Sequence, residues 1–154
     1  YTYPLHYSTH KLFTTRNNLI KFDSIKDLYG KRIGIEAGFA VSSEFDSARE
    51  RGEIDVVELF HFDDIFKRLL KGGVDAFIGN ELVIKYQLKY SDIKNKSEII
   101  SLPKPVKESR EAFFVLSKAF PMEDKKLWQA KIASTLKEME IDGTSYKIIQ
   151  KYTQ

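Results

Sequence analysis

Two glycine-bounded apolar segments constrain this chain more than anything else in it. The first is Gly30-Lys31-Arg32-Ile33-Gly34-Ile35-Glu36-Ala37-Gly38 and the second is Gly72-Gly73-Val74-Asp75-Ala76-Phe77-Ile78. Each carries a short apolar run without regular polar alternation, the pattern of a strand buried on both faces. Between them, Ser42-Ser43 precede a helical pattern that holds Phe45 and Ala48 and stops near Gly52. Val56 to Phe60 forms another strand. Asp63 is the expected N-cap of a helix with Ile65, Phe66, Leu69 and Leu70 on one side, ended by Gly72-Gly73. Strand and helix thus alternate from Arg32 to Ile78, which predicts right-handed βαβ units and a parallel sheet. Such a sheet opens a crevice at the carboxyl ends of its strands.

The flanking sequence extends this plan. Lys11 to Arg16 reads as a short strand, followed by a turn at Asn17-Asn18. Ser24 to Leu28 reads as one helical turn, capped by Ser24 and stopped by Gly30. Leu82, Ile84, Tyr86 and Leu88 alternate as a strand would. A parallel neighbour to the preceding strand needs a crossover, however, so helix is expected there. Ile99-Ile100 and Ala112 to Leu116 read as two strands separated by a polar stretch with Pro103 and Pro105. Pro121 introduces an amphipathic helix from about Glu123 to Met139, with Leu127, Ile132, Leu136 and Met139 toward the core. Asp142-Gly143 breaks it, and Ser145 to Tyr152 makes a last short helix. The fold class is α/β: an open, mostly parallel sheet flanked by helices, with extra C-terminal helices.

Bulk properties narrow the function by exclusion. A chain of 154 residues can bury a real core, as one domain or as two small lobes. The net charge of +3, with lysines dispersed along the chain, argues against a nucleic-acid partner. No apolar run approaches the ~20 residues of a membrane helix. The absence of cysteine rules out a disulfide or a thiolate metal site. His6 and His10 lie in a stretch read as extended, where positions four apart do not converge, so with His61 they predict no metal site. No Ser-His-Asp order, nucleotide loop or well-spaced carboxylate pair is present. Asp75 reads as a turn or capping residue, Glu53/Asp55 and Asp63/Asp64 as solvated turn acids and caps, and Trp128 as packing. No catalytic residue, metal or cofactor is therefore assigned, and an enzyme is not expected.

Four segments in order resemble the amino-acid-binding family of bacterial extracellular solute-binding proteins, the type II periplasmic binding fold. They are Asp27-Leu28-Tyr29-Gly30-Lys31-Arg32-Ile33-Gly34, Leu69-Leu70-Lys71-Gly72-Gly73-Val74-Asp75-Ala76, Phe113-Phe114-Val115-Leu116-Ser117-Lys118, and Asp142-Gly143-Thr144-Ser145-Tyr146 with Lys151-Tyr152. Tyr1-Thr2-Tyr3-Pro4 is similar to the segment where that family's chain crosses between lobes. The resemblance implies a crossover strand over 1–20, a second lobe over 21–110, and a return strand with C-terminal helices over 111–154. It also implies that the first half of the family's first lobe is missing, and with it an upstream arginine that clamps a carboxylate. Covering the C-terminal helix would then call for a homodimer or an exchanged segment. Tyr1-Thr2-Tyr3-Pro4 shows no signal peptide, which leaves open both removal on export and a start inside a longer gene.

By the same resemblance the function is non-catalytic binding of a small polar solute, an amino acid or small carboxylate. The domain would be periplasmic and would serve an ABC transporter or a signal-transducing sensor. Hinge closure at Lys11–Arg16 and Ala112–Lys118 would trap the ligand. The implied ligand-binding residues are Gly38, Phe39, Ala40, Val41, Ser42, Asn80 and Glu81. Gly38 to Val41 stand where relatives have a segment whose hydroxyls hold a carboxylate, so backbone amides remain as donors, with Ser42 slightly further on. Asn80 stands where relatives place an acid for the α-ammonium, with Glu81 beside it. From the residues themselves, Ser42 and Asn80 serve equally as helix caps, and Phe39 either stacks on a ligand or plugs an empty cleft. The alternative function is a truncated, ligand-incompetent module acting in assembly or partner binding.

Overall fold

The computed structural model describes residues 3–119 and 121–154; Met122 is described for its backbone alone, and the Tyr1-Thr2 part of the crossing segment lies outside the described residues. The elements run β1 (Pro4–Thr15), β2 (Arg32–Glu36), α1 (Ser43–Glu50), β3 (Asp55–Leu59), α2 (Phe62–Leu70), β4 (Ala76–Asn80), α3 (Glu81–Tyr90), β5 (Ile99–Phe113), α4 (Met122–Ile141) and α5 (Thr144–Thr153). Short 3-10 turns at Ile25–Leu28 and Lys96–Glu98 link them. One sheet has the strand order β3-β2-β4-β1-β5. β2 is parallel to both β3 and β4, whereas β1 is antiparallel to β4. The sheet is therefore mixed, with the expected βαβ units at one side and the returning β1 closing the other.

Contacts divide the chain into two compact units, 9–108 and 1–8 with 109–154. The larger unit holds two apolar layers. One joins Leu12, Leu28, Ile33, Ile35, Phe45 and Ile78. The other joins Phe13, Ile65, Phe66, Leu69, Phe77 and Ile84. Successive residues such as Phe77 and Ile78 thus feed opposite layers, which is why these strands read as continuous apolar runs. Gly79 keeps β4 close to α3: a Cβ there would meet Phe77 Cε1 at 2.6 Å and Ile84 Cγ1 at 2.8 Å. Asp75 has the structural role expected of it, since its Oδ2 accepts from the Arg32 amide at 2.8 Å and ties the start of β2 to the approach to β4.

In the smaller unit, Tyr3 Oη donates to Glu140 Oε2 at 2.5 Å, and α4 packs against α5. No described residue of 109–154 is buried. Leu127, expected toward a core, is 53% exposed, while Ile132, Leu136 and Met139 are half-buried.

Several boundaries differ from those the sequence suggests. β1 begins seven residues before Lys11, because its outer half lies beyond the apolar Leu12-Phe13 pair that marks its buried part. β5 is one strand rather than two. It lies last in the sheet order, where a proline can leave its missing N–H side unpaired, so Pro103 and Pro105 do not interrupt it. It ends at Phe113, and Phe114 to Leu116 lie outside any strand. The N-cap position of α2 is His61, not Asp63; Asp63 sits in the first turn and accepts from Ser91 Oγ at 3.1 Å.

Candidate functional site

Strand register brings three connections and one strand position to the same edge of the sheet. Ile35 on β2 lies opposite Ile78 on β4, and Glu36 lies opposite Leu59 on β3. β1 runs the other way, so His10 lies opposite Asn80. The β2–α1 turn, the end of β3, the β4–α3 junction and His10 therefore converge at the carboxyl ends of the parallel strands.

The β2–α1 turn is built by its own backbone. The Ala37 amide donates to the Leu59 carbonyl at 2.9 Å and the Phe39 amide to the Glu36 carbonyl at 3.0 Å. Between them Gly38 adopts φ +77°, a left-handed conformation that side-chain-bearing residues rarely take. Ala40 is exposed, Val41 is buried in the core, and Ser42 begins α1 as its N-cap, accepting from the Phe45 amide at 3.2 Å. Among the described residues, the amides of 40–44 donate to no protein acceptor. They lie at and just before the first turn of α1, whose positive end stabilises an anion.

The Phe39 ring stacks on His10, with centroids 4.7 Å apart and planes at 21°. Beside this pair is a hollow of ≈ 60 Å³, lined by His10, Glu36, Phe39, Phe62, Asn80 and Val83 among others. Burial, followed by the nearby Lys107 ammonium, lowers the His10 pKa, so the imidazole is neutral at pH 7.

The β4–α3 junction is already occupied by the chain itself. Asn80 Oδ1 accepts from the amides of Leu82 at 3.0 Å and Val83 at 3.1 Å, capping α3. Glu81 Oε1 accepts from Lys11 Nζ at 3.1 Å and from Lys85 Nζ at 2.8 Å. Partial burial alone would raise the Glu81 pKa, but the Lys85 and Lys11 ammoniums overcome it and hold the carboxyl below its ordinary value. Its charge is matched by the protein's own lysines.

Of the seven residues expected to bind, Phe39 and Asn80 line the hollow, and Gly38, Ala40 and Ser42 form the turn beside it. Val41 turns its side chain into the core, leaving only its backbone at the turn, and Glu81 sits in its ion-pair cluster. His10 and Glu36 line the hollow as well but were not singled out for binding from sequence. The strand expected from Lys11 started one residue too late to bring His10 to this edge.

No protein-family model matches the chain, and no curated protein does. Solved structures do match. The second substrate-binding domain of GlnP from Lactococcus lactis, in an open conformation, superposes with a TM-score of 0.71 at 23% identity, covering 99% of this chain and 61% of that one. The fold is that of the type II periplasmic binding proteins. The amino acid ABC transporter substrate-binding protein AbpA from Streptococcus pneumoniae, bound to L-arginine, gives 0.65 at 20% identity over 99% and 60%. An ancestral amino-acid-binding protein described as a precursor of cyclohexadienyl dehydratase gives 0.64 at 18% over 99% and 61%. The chain thus spans about three fifths of the length of the solved structures it matches. Among the described residues, no helix is long and apolar enough to cross a membrane.

Proposed function

We propose that this domain binds a small carboxylate-bearing solute, without chemistry, at the edge formed by the β2–α1 turn and the β4–α3 junction. The observation that carries the reading is the run of amides at 40–44, which have no protein acceptor and stand at the start of α1. An amino acid is a weaker fit than a plain carboxylate, because Asn80 is spent as a cap and Glu81 is neutralised by Lys11 and Lys85. Solved structures of the same fold that are described as binding proteins support a transport or sensory receptor located in the periplasm, with a membrane transporter or sensor as partner. The lobe assignment, 1–20, 21–110 and 111–154, belongs to the same proposal.

Titration calorimetry with L-arginine, L-glutamine and acetate tests it. The hollow of ≈ 60 Å³ is far below the roughly 300–1,000 Å³ of ordinary ligand pockets, so a bound solute keeps much of its surface in water. The expected dissociation constant is weaker than about 1 μM, that is, less favourable than about −8 kcal/mol. Sub-micromolar binding contradicts the single-edge site, and no binding of any of the three at millimolar concentration sinks the solute reading.

A second reading, assembly or partner binding with the edge vestigial, is favoured by the exposure of Leu127, Trp128, Ile141, Tyr146 and Ile148 on α4 and α5. Light scattering separates the two, since a strict monomer counts against assembly through a second copy.

A further inference from the structure

The Phe39 ring lines the hollow from an exposed turn and packs on its other side against the margin of the core. Phe39 follows Gly38 at φ +77° and precedes the exposed Ala40, so neither neighbour packs a side chain against it. His10 is anchored, because its strand pairs with β4 at Asn80. Besides these two rings, the lining is largely apolar: Phe62, Phe77, Ile78, Val83 and Ile84. The space that remains, ≈ 60 Å³, holds a few waters but no ring or branched group, so such a group enters only if Phe39 leaves, whereas acetate reaches the turn's amides with Phe39 in place. The ring that leaves exposes the imidazole face it covered at 4.7 Å and the apolar wall behind it. A polar or very small solute would leave that surface bare to water. A solute with its own apolar group would cover it again.

We propose that Phe39 stands in for part of the ligand, and that this site selects a carboxylate carrying an aromatic or branched apolar group, which displaces Phe39 and stacks on His10. This rests on the solute-binding reading and adds the class of solute to it. In the bound state Phe39 contributes nothing to the contact; in the free state it competes for the place.

The experiment is calorimetric titration of the wild-type chain and of Phe39→Ala with phenylacetate and with acetate, alongside NMR of the His10 ring signals. Wild type is expected to bind phenylacetate at least about tenfold more tightly than acetate, the factor expected for covering one ring's apolar surface. The His10 signals should move with phenylacetate and not with acetate. Phe39→Ala should bind phenylacetate several-fold more tightly than wild type does, because no ring has to be displaced. Equal affinity of wild type for the two acids overturns the proposal while sparing the solute reading. So does an unchanged or weaker affinity in Phe39→Ala, which would make Phe39 a direct contact or a bystander. Binding of neither acid to either protein overturns the proposal, and the solute reading falls with it if L-arginine and L-glutamine also fail to bind. The comparison of the two acids on wild type needs no variant, so it stands even if Phe39→Ala fails to fold.

Discussion

Glu81 is held by two lysines from different elements, Lys11 on β1 at 3.1 Å and Lys85 one turn along α3 at 2.8 Å. Its folded pKa lies below the ordinary value, so the folded state gives up this proton more readily than the unfolded chain does. The resulting stabilisation is complete at pH 7, above the ordinary glutamate value near ~4.3, and is lost as pH falls through the lowered folded value. Glu81→Gln is therefore expected to cost about 1 kcal/mol in urea unfolding at pH 7, a difference that shrinks as pH falls below the ordinary glutamate value. From sequence Glu81 is a ligand contact at this edge, with no ion-pair cluster assigned around it. Lys85 is visible four residues along as an i,i+4 partner. Lys11 is not, because it arrives only through the antiparallel register of β1 with β4. Phe39 was legible as a ring at the edge, whereas the ring it covers was not, for the same reason.

At the scale of elements, α3 shows how topology overrides pattern. Leu82, Ile84, Tyr86 and Leu88 alternate as a strand does, yet Glu81–Tyr90 is helix, started by Asn80 as its cap. Only Ile84 of these is fully buried, and it reaches Gly79 and Phe77 across the tight β4–α3 packing. Asn80→Ala leaves the Leu82 and Val83 amides without that acceptor and is expected to cost about 1 kcal/mol in thermal or urea unfolding. An unchanged stability would mean that the cap is redundant and would return Asn80 to the ligand. β2, β3 and β4 were legible because burial on both faces leaves an apolar run that periodicity cannot hide. β5 was not, because the cue that normally breaks a strand, proline, is tolerated at a sheet edge. The cap of α2 was misplaced because Asp63 is the favoured capping type, whereas the helix begins earlier, after a His61 that makes no side-chain cap hydrogen bond.

For the molecule as a whole, order is concentrated in the unit spanning 9–108. Among the described residues, every buried hydrophobic of the core lies there, from Leu12 to Leu102. In hydrogen exchange, the amides of β2 and β4 are expected to be protected far longer than those of α4 and α5, whose side chains contribute no buried residue among those described. Equal protection of the two sets would show that α4 and α5 are covered in solution. The apolar stripe of α4 is only partly covered, with Ile132, Leu136 and Met139 half-buried and Leu127 exposed. An apolar stripe predicts which side of a helix would be covered but not whether anything covers it.

Pro103 and Pro105 have an effect beyond β5 itself. They deprive the outermost strand of two donors that a neighbouring polypeptide would need in order to zip onto it, and Lys104 between them adds a charge. Strand-by-strand growth into fibrils is thereby discouraged along this margin. At the opposite margin β3 offers only five residues, Asp55–Leu59, with two carboxylates among them. Both flanks are poor templates for amyloid, even though the interior strands are among the most β-prone sequences in the protein.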